Sequence, residues 1–406
     1  SGVAVYNGKG QYTSKIKLSN EGLKGDGKLE YITSTTYSND FTFYPDSMRC
    51  IAKDYVIEEK PTAVEYPPVL AKNTKVRWLP KNDVMVNYSQ DTPFSMYDGS
   101  TLNGSIALRP KGLSGDGTFK FEKAELEADK FNFKFQEFTS DTADFRLLDE
   151  IGSDALSFNT KNVNAYVNFK ERFGEFKSNG GGSYIEFPQN KYICFMEEFK
   201  WFMDKNDIAL SAKESGQTTD EVTGVALDGS KFISIHDKQD SLSFYAPEAR
   251  YDIHEKINYC NNVKYVNVTD AMIYYDSGKI VIEKNAKMNT LENAKIVANY
   301  ITQNFNIYDA TINIFGKKNY TGTGYIDYVD ETQKVQPIFL ENIGVDTTLQ
   351  TYASGVIEDT ANFRLSPQFD YFGRVFLTSN NEDLTFKGSC RIKHDCDKVK
   401  PTWFNI

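Results

Sequence analysis

The most regular pattern in this chain is a four-residue motif that recurs between residues 241 and 314. It consists of a polar residue, an alanine, any residue and a large apolar residue. The motif alanines are Ala249, Ala271, Ala286, Ala294 and Ala310, at gaps of 22, 15, 8 and 16 residues that fit a strand plus a turn. Alternate residues of a strand share a face, so each alanine faces the same way as its apolar partner. We therefore predict buried alanines in strands, each preceded by an exposed polar residue.

A duplication near the start of the chain predicts a repeated strand unit. Residues 15–44 and 105–134 match without a gap at an offset of 90. The matched glycines are Gly22, Gly25 and Gly27 in the first copy and Gly112, Gly115 and Gly117 in the second. Such a register indicates a repeated structural unit, and a glycine pair followed by alternating residues predicts a tight turn or a bulge. We expect Gly27 and Gly117 to adopt equivalent backbone conformations.

A third, weaker copy of the glycine pair lies at Gly322 and Gly324. The second and third copies share a downstream segment, because residues 141–147 (DTADFRL) and 359–365 (DTANFRL) are nearly identical. Both segments contain an alanine two residues before a phenylalanine, as in the central motif. We therefore expect this alanine motif to occur in the flanking units as well.

These patterns predict four segments. Residues 1–150 hold the duplicated units, with a proline-rich excursion of loops and edge strands near 58–99. Residues 151–223 form an aromatic-rich β segment ending in a polar linker at 212–223. Within it, residues 192–203 fit a strand better than the alternative two-turn helix at 196–203. Residues 224–316 contain the central strand array, and residues 317–406 a carboxy-terminal β unit related to the first.

The composition supports strands and narrows the candidate partners. The chain has 29 Phe and 25 Tyr but only 3 Trp and 3 His, and aromatic residues fit a pleated, half-buried surface. Its net charge of −10 has no basic stripe of the kind that nucleic acid or an anionic membrane surface requires. No apolar run reaches the about 18 residues of a membrane-spanning helix. We expect no nucleic-acid partner and no transmembrane segment.

Candidate chemistry is sparse. His236, His254 and His394 are not in a metal-binding spacing, and no Gly-x-Ser-x-Gly elbow is present. A phosphate loop at Gly22 is disfavoured because strand-like alternation follows it where a helix would be required. We predict no catalytic, cofactor-binding or metal-binding residues and no cofactor, and the binding residues stay unknown. Carboxylate-only catalysis on adjacent strands is left open.

The five cysteines are Cys50, Cys194, Cys260, Cys390 and Cys396, an odd number without a CxxC pair. Cys390 and Cys396 are close enough in sequence for a hairpin disulfide, and the alternative is that all five remain thiols.

Tyr274 and Tyr275 are adjacent in one predicted strand, so one of them faces away from the core. That ring either stacks on a ligand such as a sugar or packs against a second sheet layer.

The central array also resembles a known family. The pairs Ala249-x-Tyr251, Val263-x-Tyr265 and Ala271-x-Ile273, with residues 280–282, resemble the pattern of OstA-like periplasmic lipopolysaccharide-transport proteins. That resemblance implies an open β-jellyroll with an apolar groove for lipid. The chain as a whole is similar to segments of large uncharacterised exported proteins of Gram-negative envelopes. Since it begins Ser1-Gly2, we interpret it as a mature or excised fragment.

We therefore expect an all-β, elongated, repetitive fold, either a β-solenoid or a β-jellyroll of stacked short strands. The expected function is a non-enzymatic structural or binding module of an exported cell-envelope protein, periplasmic or in the outer envelope. Its candidate partners are a glycan, a lipid or another envelope protein. The alternatives are a periplasmic lipid or lipopolysaccharide carrier with an apolar groove, and a β-solenoid enzyme that degrades polysaccharides.

Overall fold

The computed structural model describes residues 2–150, 154–212, 218–219, 224–394 and 401–406. Strands account for 64% of the structure and helices for 2%, so the all-β, repetitive prediction is confirmed. The chain divides into two compact units. The first unit comprises Ser1–Pro188 and Glu197–Ile208, and the second comprises Gln189–Met196 and Ala209–Ile406. The four-segment division stays a prediction.

The strands before residue 212 are, in chain order, β1 Val3–Val5, β2 Gly10–Ser19, β3 Gly22–Tyr31, β4 Ser34–Phe43, β5 Met48–Ile57, β6 Val69–Leu79, β7 Val84–Tyr88, β8 Phe94–Met96, β9 Ser100–Arg109, β10 Gly112–Phe121, β11 Ala124–Phe133, β12 Glu137–Leu148, β13 Leu156–Asn168, β14 Phe173–Ser178, β15 Ile185–Phe187, β16 Tyr192–Cys194, β17 Glu198–Phe202 and β18 Asp207–Ser211. A single 3-10 turn, η1, spans Pro80–Asn82 in this described part.

The later strands are β19 Thr218–Thr219, β20 Ala226–Leu227, β21 Ser230–Ser234, β22 Ser243–Ala246, β23 Glu248–Asp252, β24 Ile257–Asn261, β25 Val266–Val268, β26 Ala271–Tyr275, β27 Ile280–Ile282, β28 Leu291–Ala298, β29 Phe305–Gly316, β30 Asn319–Val329, β31 Val335–Val345, β32 Thr351–Ile357, β33 Arg364–Ser366, β34 Phe369–Thr378, β35 Thr385–Ile392 and β36 Trp403–Asn405. Two further 3-10 turns are η2 Lys284–Ala286 and η3 Asp359–Ala361. No helix in the described ranges has the length and apolar character that crossing a bilayer demands.

The first unit is an antiparallel meander that contains the predicted duplication. Strands β2, β3 and β4 reappear as β9, β10 and β11 with bounds that differ by 90 residues at both ends. Apolar residues alternate onto one buried face, and Phe41 and Phe43 stack as Phe131 and Phe133 do in the second copy. The predicted repeat of one strand unit is therefore confirmed.

The glycine pair marks a β-bulge inside a strand. The pairing register shifts between Gly25 and Gly27 in the first copy and between Gly115 and Gly117 in the second. Gly117 has a φ of +114°, and a Cβ there would lie 2.2 Å from the carbonyl oxygen of Asn103. Gly27 lies at the same bulge without a positive φ, so the expectation of equivalent conformations is wrong in detail.

The third glycine pair also lies at a β-bulge, whereas the shared downstream segment has different structures in its two copies. The register between β30 and β31 shifts between Gly322 and Gly324. Residues 141–147 continue strand β12, in which Ala143 is buried. The matching residues 359–365 form η3 and the start of β33, and Ala361 is exposed. The expected alanine motif is therefore wrong at Ala361.

The proline-rich segment near 58–99 consists only partly of loops and edge strands. Its prolines lie outside the strands, and Pro93 lies between the short strands β7 and β8. Strand β6, in contrast, has 11 residues and pairs with β5 on one side and with β7 and β8 on the other. The prediction of edge strands is wrong for β6, because the uninterrupted residues 69–79 leave every ladder position free of proline.

The central array in the second unit follows the alanine motif with two exceptions. All five motif alanines are buried, and four of them lie in strands. Ala286 lies instead in the 3-10 turn η2, where residue Asn285 is in a left-handed conformation. Asp270 is 6% exposed although we expected the polar residue before each alanine to face solvent. The first expectation fails because Ala286 lies in a 3-10 turn, and the second because Asp270 accepts hydrogen bonds from Thr351 and Ser379.

Ala294 lies in β28 directly between Tyr275 and Ala310, and only 1% of it is exposed. Replacing it with leucine should overpack this interface and lower the free energy of unfolding by about 1–3 kcal/mol. The measurement is urea unfolding followed by circular dichroism. Lys295→Leu, on the exposed face of the same strand, should change it by less than about 0.5 kcal/mol. Equal effects of the two substitutions would contradict this packing.

Residues 192–203 form strands β16 and β17, so the strand interpretation is confirmed and the helix alternative is rejected. Most of the predicted linker at 212–223 lies outside the described residues. Cys396 also lies outside them, so its pairing with the buried Cys390 stays a prediction.

Candidate functional site

The surface feature with the clearest chemical character is a cleft on the outward face of strands β4 to β7 in the first unit. This basic cleft has a volume of about 460 Å³. It is lined by Asp40, Thr42, Arg49, Cys50, Ile51, Lys75, Val76, Arg77 and Tyr88. Three of these side chains are cationic and one is acidic. The cleft therefore carries a net positive charge on a chain whose total charge is −10.

Strand register places two arginines directly opposite each other. Arg49 of β5 pairs with Arg77 of β6, and both side chains are on the exposed face. Directly opposed side chains have Cβ atoms roughly 5 Å apart, and like charges at that distance are destabilising. Lys75, two residues before Arg77 on the same face, adds a third positive charge. This arrangement is destabilising, and an anion bound by both arginines would relieve the repulsion.

The protein supplies little to offset these charges. Among the described residues, Arg49, Lys75 and Arg77 form no ion pair with a carboxylate. The carboxylate of Asp40 instead accepts hydrogen bonds from the backbone N–H of Ile51 at 3.0 Å and the hydroxyl of Ser38 at 2.5 Å. Asp40 therefore serves the local backbone, and the three cations remain free to bind a ligand.

The rest of the cleft is apolar or aromatic. Ile51 is 41% exposed and Tyr88 is 44% exposed, and Tyr88 lies directly opposite Lys75. The guanidinium carbon of Arg49 lies 5.7 Å from the centre of the Tyr44 ring. Burial, with a smaller contribution from the charge of Asp40, raises the pKa of Cys50 to about 12. This thiol stays protonated at neutral pH and is a poor nucleophile.

The second copy of the repeat provides an internal comparison. At the offset of 90, the positions of Arg49 and Ile51 are occupied by Thr139 and Asp141. The residue opposite Thr139 is Tyr166, where the first copy has Arg77. The positive charges are therefore specific to one copy and are not required by the repeated fold. Sequence analysis missed this site, and comparing the charges of the two copies would have indicated Arg49.

Two other clefts have less consistent chemistry. A groove of about 690 Å³ in the first unit mixes cations such as Arg109 and Lys130 with Glu65 and Asp129. A groove of about 770 Å³ in the second unit contains Asp327, Glu382 and Asp383 together with Tyr308. The Tyr308 hydroxyl donates a hydrogen bond to Asp327 at 2.7 Å, which raises the Tyr308 pKa to about 12.

In the candidate aromatic pair Tyr274 and Tyr275, the Tyr274 ring packs against other side chains. Tyr274 packs against a buried cluster of Leu227, Tyr265, Met272 and Val297, and its ring centre is 5.5 Å from that of Tyr265. The packing alternative is confirmed for this side chain. Elsewhere in the second unit, the half-buried Tyr308 and the exposed Tyr325 and Phe339 form a row with ring centres 6.1 and 5.0 Å apart.

The histidines and thiols do not form a reactive group among the described residues. His236 and His254 accept or share hydrogen bonds with neighbours one or two residues away. Burial raises the pKa of Cys194 to about 12. In the described ranges no three His, Cys, Asp or Glu side chains lie close enough together to hold a metal ion. The glycines considered as a phosphate loop lie in strand β3, as the strand interpretation predicted.

Comparison with known proteins finds no matching family, no matching curated protein and no matching solved structure.

Proposed function

We propose that the chain is a non-enzymatic binding module of an exported cell-envelope protein, and that its basic cleft binds an oxyanion-bearing ligand. The observation that carries this proposal is the directly opposed pair Arg49 and Arg77, with Lys75 beside it and no carboxylate partner in the described ranges. The envelope location rests on the sequence resemblance.

Guanidinium chemistry supports an oxyanion ligand. Arginine presents a planar fork of N–H donors that matches a carboxylate, sulfate or phosphate group. An oxyanion between Arg49 and Arg77 would replace their mutual repulsion by two favourable interactions. The rigid strand backbone holds both side chains at their bases, so binding needs no rearrangement of the sheet. The open cleft suits a charged group carried by a larger ligand, and Tyr88 offers a ring face beside it.

The test uses the full chain with the double variant Arg49→Thr/Arg77→Thr. Binding is measured by calorimetry against polygalacturonate, anionic phospholipid vesicles and a neutral glucan. We expect the double variant to weaken binding of the preferred anionic probe at least about tenfold, or about 1.4 kcal/mol. Added salt should weaken it further because the site is exposed. Lys53→Thr removes a cation from the same strand outside the cleft and should have little effect.

Polygalacturonate and the anionic vesicles distinguish two possible sources of the oxyanion, a glycan carboxylate and a lipid phosphate. Preference for polygalacturonate identifies carboxylated glycan, whereas preference for vesicles identifies phospholipid phosphate and favours the lipid-carrier alternative. The same glycans are analysed for new reducing or unsaturated ends. Turnover that disappears on changing a single Asp or Glu would overturn the non-enzymatic proposal. Equal binding by the double variant and the unmodified chain would exclude the basic cleft as the site.

A further inference from the structure

The basic cleft is one end of a longer row of cations that crosses five neighbouring strands. Lys17 of β2 lies opposite Lys24 of β3, and Lys24 lies opposite Thr42 of β4. Thr42 lies opposite Arg49 of β5, which lies opposite Arg77 of β6. Residues paired in this way share one face of a sheet. We call Lys17, Lys24, Arg49 and Arg77 the basic row.

The geometry of the basic row follows from strand spacing. Neighbouring strands are about 4.8 Å apart, so four steps place Lys17 roughly 19 Å from Arg77. All four cations are exposed. Lys24 forms an ion pair with Glu21 at 3.4 Å, and both of these side chains are largely exposed, so the pair contributes little. The row thus places four positive charges one after another across the strands.

The second copy shows that these charges are not needed for folding. Its equivalent row, with Asn132 at the position of Thr42, consists of Ala107, Ser114, Asn132, Thr139 and Tyr166, none of which is a cation. Three of the strands in each row, β2 to β4 and β9 to β11, have bounds that differ by 90 residues at both ends. Four like charges in a row also repel one another. The basic row therefore destabilises the first copy, and the second copy has no such repulsion at the equivalent positions.

Acidic residues limit the shape of a ligand. Asp26 lies on the same face as Lys24, two residues further along β3, and Asp40 lines the cleft beside Arg49. A ligand with a broad negative surface would contact these carboxylates. A single line of anionic groups avoids them. The basic row therefore favours a narrow, linear polyanion over a nucleic-acid duplex or a membrane surface.

We propose, building on the proposed function, that the basic row binds a linear acidic polysaccharide that lies across the strands. A polyuronide carries one carboxylate on each sugar, at a spacing comparable with that of adjacent strands. Carboxylates of the chain then meet Arg77, Arg49, Lys24 and Lys17 in that order, and the sugar between Arg49 and Lys24 lies beside the hydroxyl of Thr42. Tyr88, on the face that lines the cleft, supplies a ring against which a sugar can stack.

The experiment measures the dissociation constants of galacturonate oligomers of increasing length with the full chain. Affinity should rise with length until the oligomer spans the row and then level off. The variant Lys17→Ala/Lys24→Ser introduces the residues of the second copy and should keep the fold, as judged by circular dichroism. It should weaken hexamer binding about tenfold and leave dimer binding at Arg49 and Arg77 unchanged. Lys53→Thr/Lys72→Ser removes two exposed cations outside the row and should leave both constants unchanged.

The outcomes separate this inference from the proposed function. If neither acidic oligomers nor anionic phospholipid vesicles bind, the proposed function itself fails. If the vesicles bind and no acidic oligomer does, only the assignment to a polysaccharide is overturned. If dimers bind through Arg49 and Arg77 but neither length nor the two lysines matter, only the basic row is overturned. Tighter binding of single-stranded poly(dT) than of a uronide of equal charge would overturn the assignment to a polysaccharide.

Discussion

Replacing Phe119 with alanine should lower the free energy of unfolding by about 4 kcal/mol, the largest effect we expect from a single substitution. Phe119 lies in β10 and is fully buried. Its ring centre is 5.1 Å from that of Phe138 and 5.5 Å from those of Phe121 and Phe133. Truncation removes apolar area and leaves a cavity that these rings cannot fill without moving the strands that carry them.

The first copy of the repeat suggests the control for this substitution. The equivalent position is occupied by Leu29, which is also fully buried. Phe119→Leu should therefore lower the free energy of unfolding by about 2 kcal/mol less than Phe119→Ala does, because the leucine side chain fills part of the space. Urea unfolding followed by fluorescence measures both. An alanine variant that is no less stable than the leucine variant would show that the aromatic cluster is not tightly packed.

Asp270→Ala should lower the free energy of unfolding by about 3 kcal/mol, since it removes the acceptor of a buried hydrogen-bond network. The Asp270 carboxylate accepts hydrogen bonds from the backbone N–H of Thr351 at 3.0 Å and from its hydroxyl at 2.7 Å. The Ser379 hydroxyl also donates to it. These contacts join the start of β26 to β32 and to the residue that follows β34.

The loss is large because the donors have no alternative partner of equal strength. The Tyr320 hydroxyl lies 2.8 Å from the Thr351 hydroxyl, and burial raises the Tyr320 pKa, so this phenol cannot replace the carboxylate charge. Glu248→Ala is the matched control, because Glu248 also precedes a motif alanine but is exposed. It should change stability by less than about 0.5 kcal/mol. A comparable loss in both variants would show that the network contributes nothing specific.

The regular parts of the fold could be predicted from the sequence because their causes are local. Alternation of apolar residues placed the strands and their buried faces, and the offset of 90 predicted two copies whose strand bounds agree. Glycine pairs marked the bulges, since those positions have no room for a Cβ. Each of these signals depends on residues within one strand and its neighbouring turn.

Two near-identical segments have different structures, so their local sequence alone does not determine the structure. Residues 141–147 extend strand β12, which is paired on both sides with β11 and β13. In residues 359–365, Asn362 adopts a left-handed conformation that ends a 3-10 turn. One differing residue separates DTADFRL from DTANFRL, and asparagine tolerates the left-handed region well. The flanking strand partners, which the heptapeptides do not encode, then decide the structure.

The candidate site depends on tertiary structure to an even greater extent. Lys17, Lys24, Arg49 and Arg77 are separated by 7, 25 and 28 residues, distances without any periodic signal. By itself the sequence determined an all-β chain with a duplicated unit, buried motif alanines and bulges at paired glycines. The burial of Asp270 and the alignment of four scattered cations in one row depend on contacts between strands that are far apart in the sequence. The physical reason is that side-chain alternation is set within a strand, whereas register between strands is set by turns and bulges acting over the whole sheet.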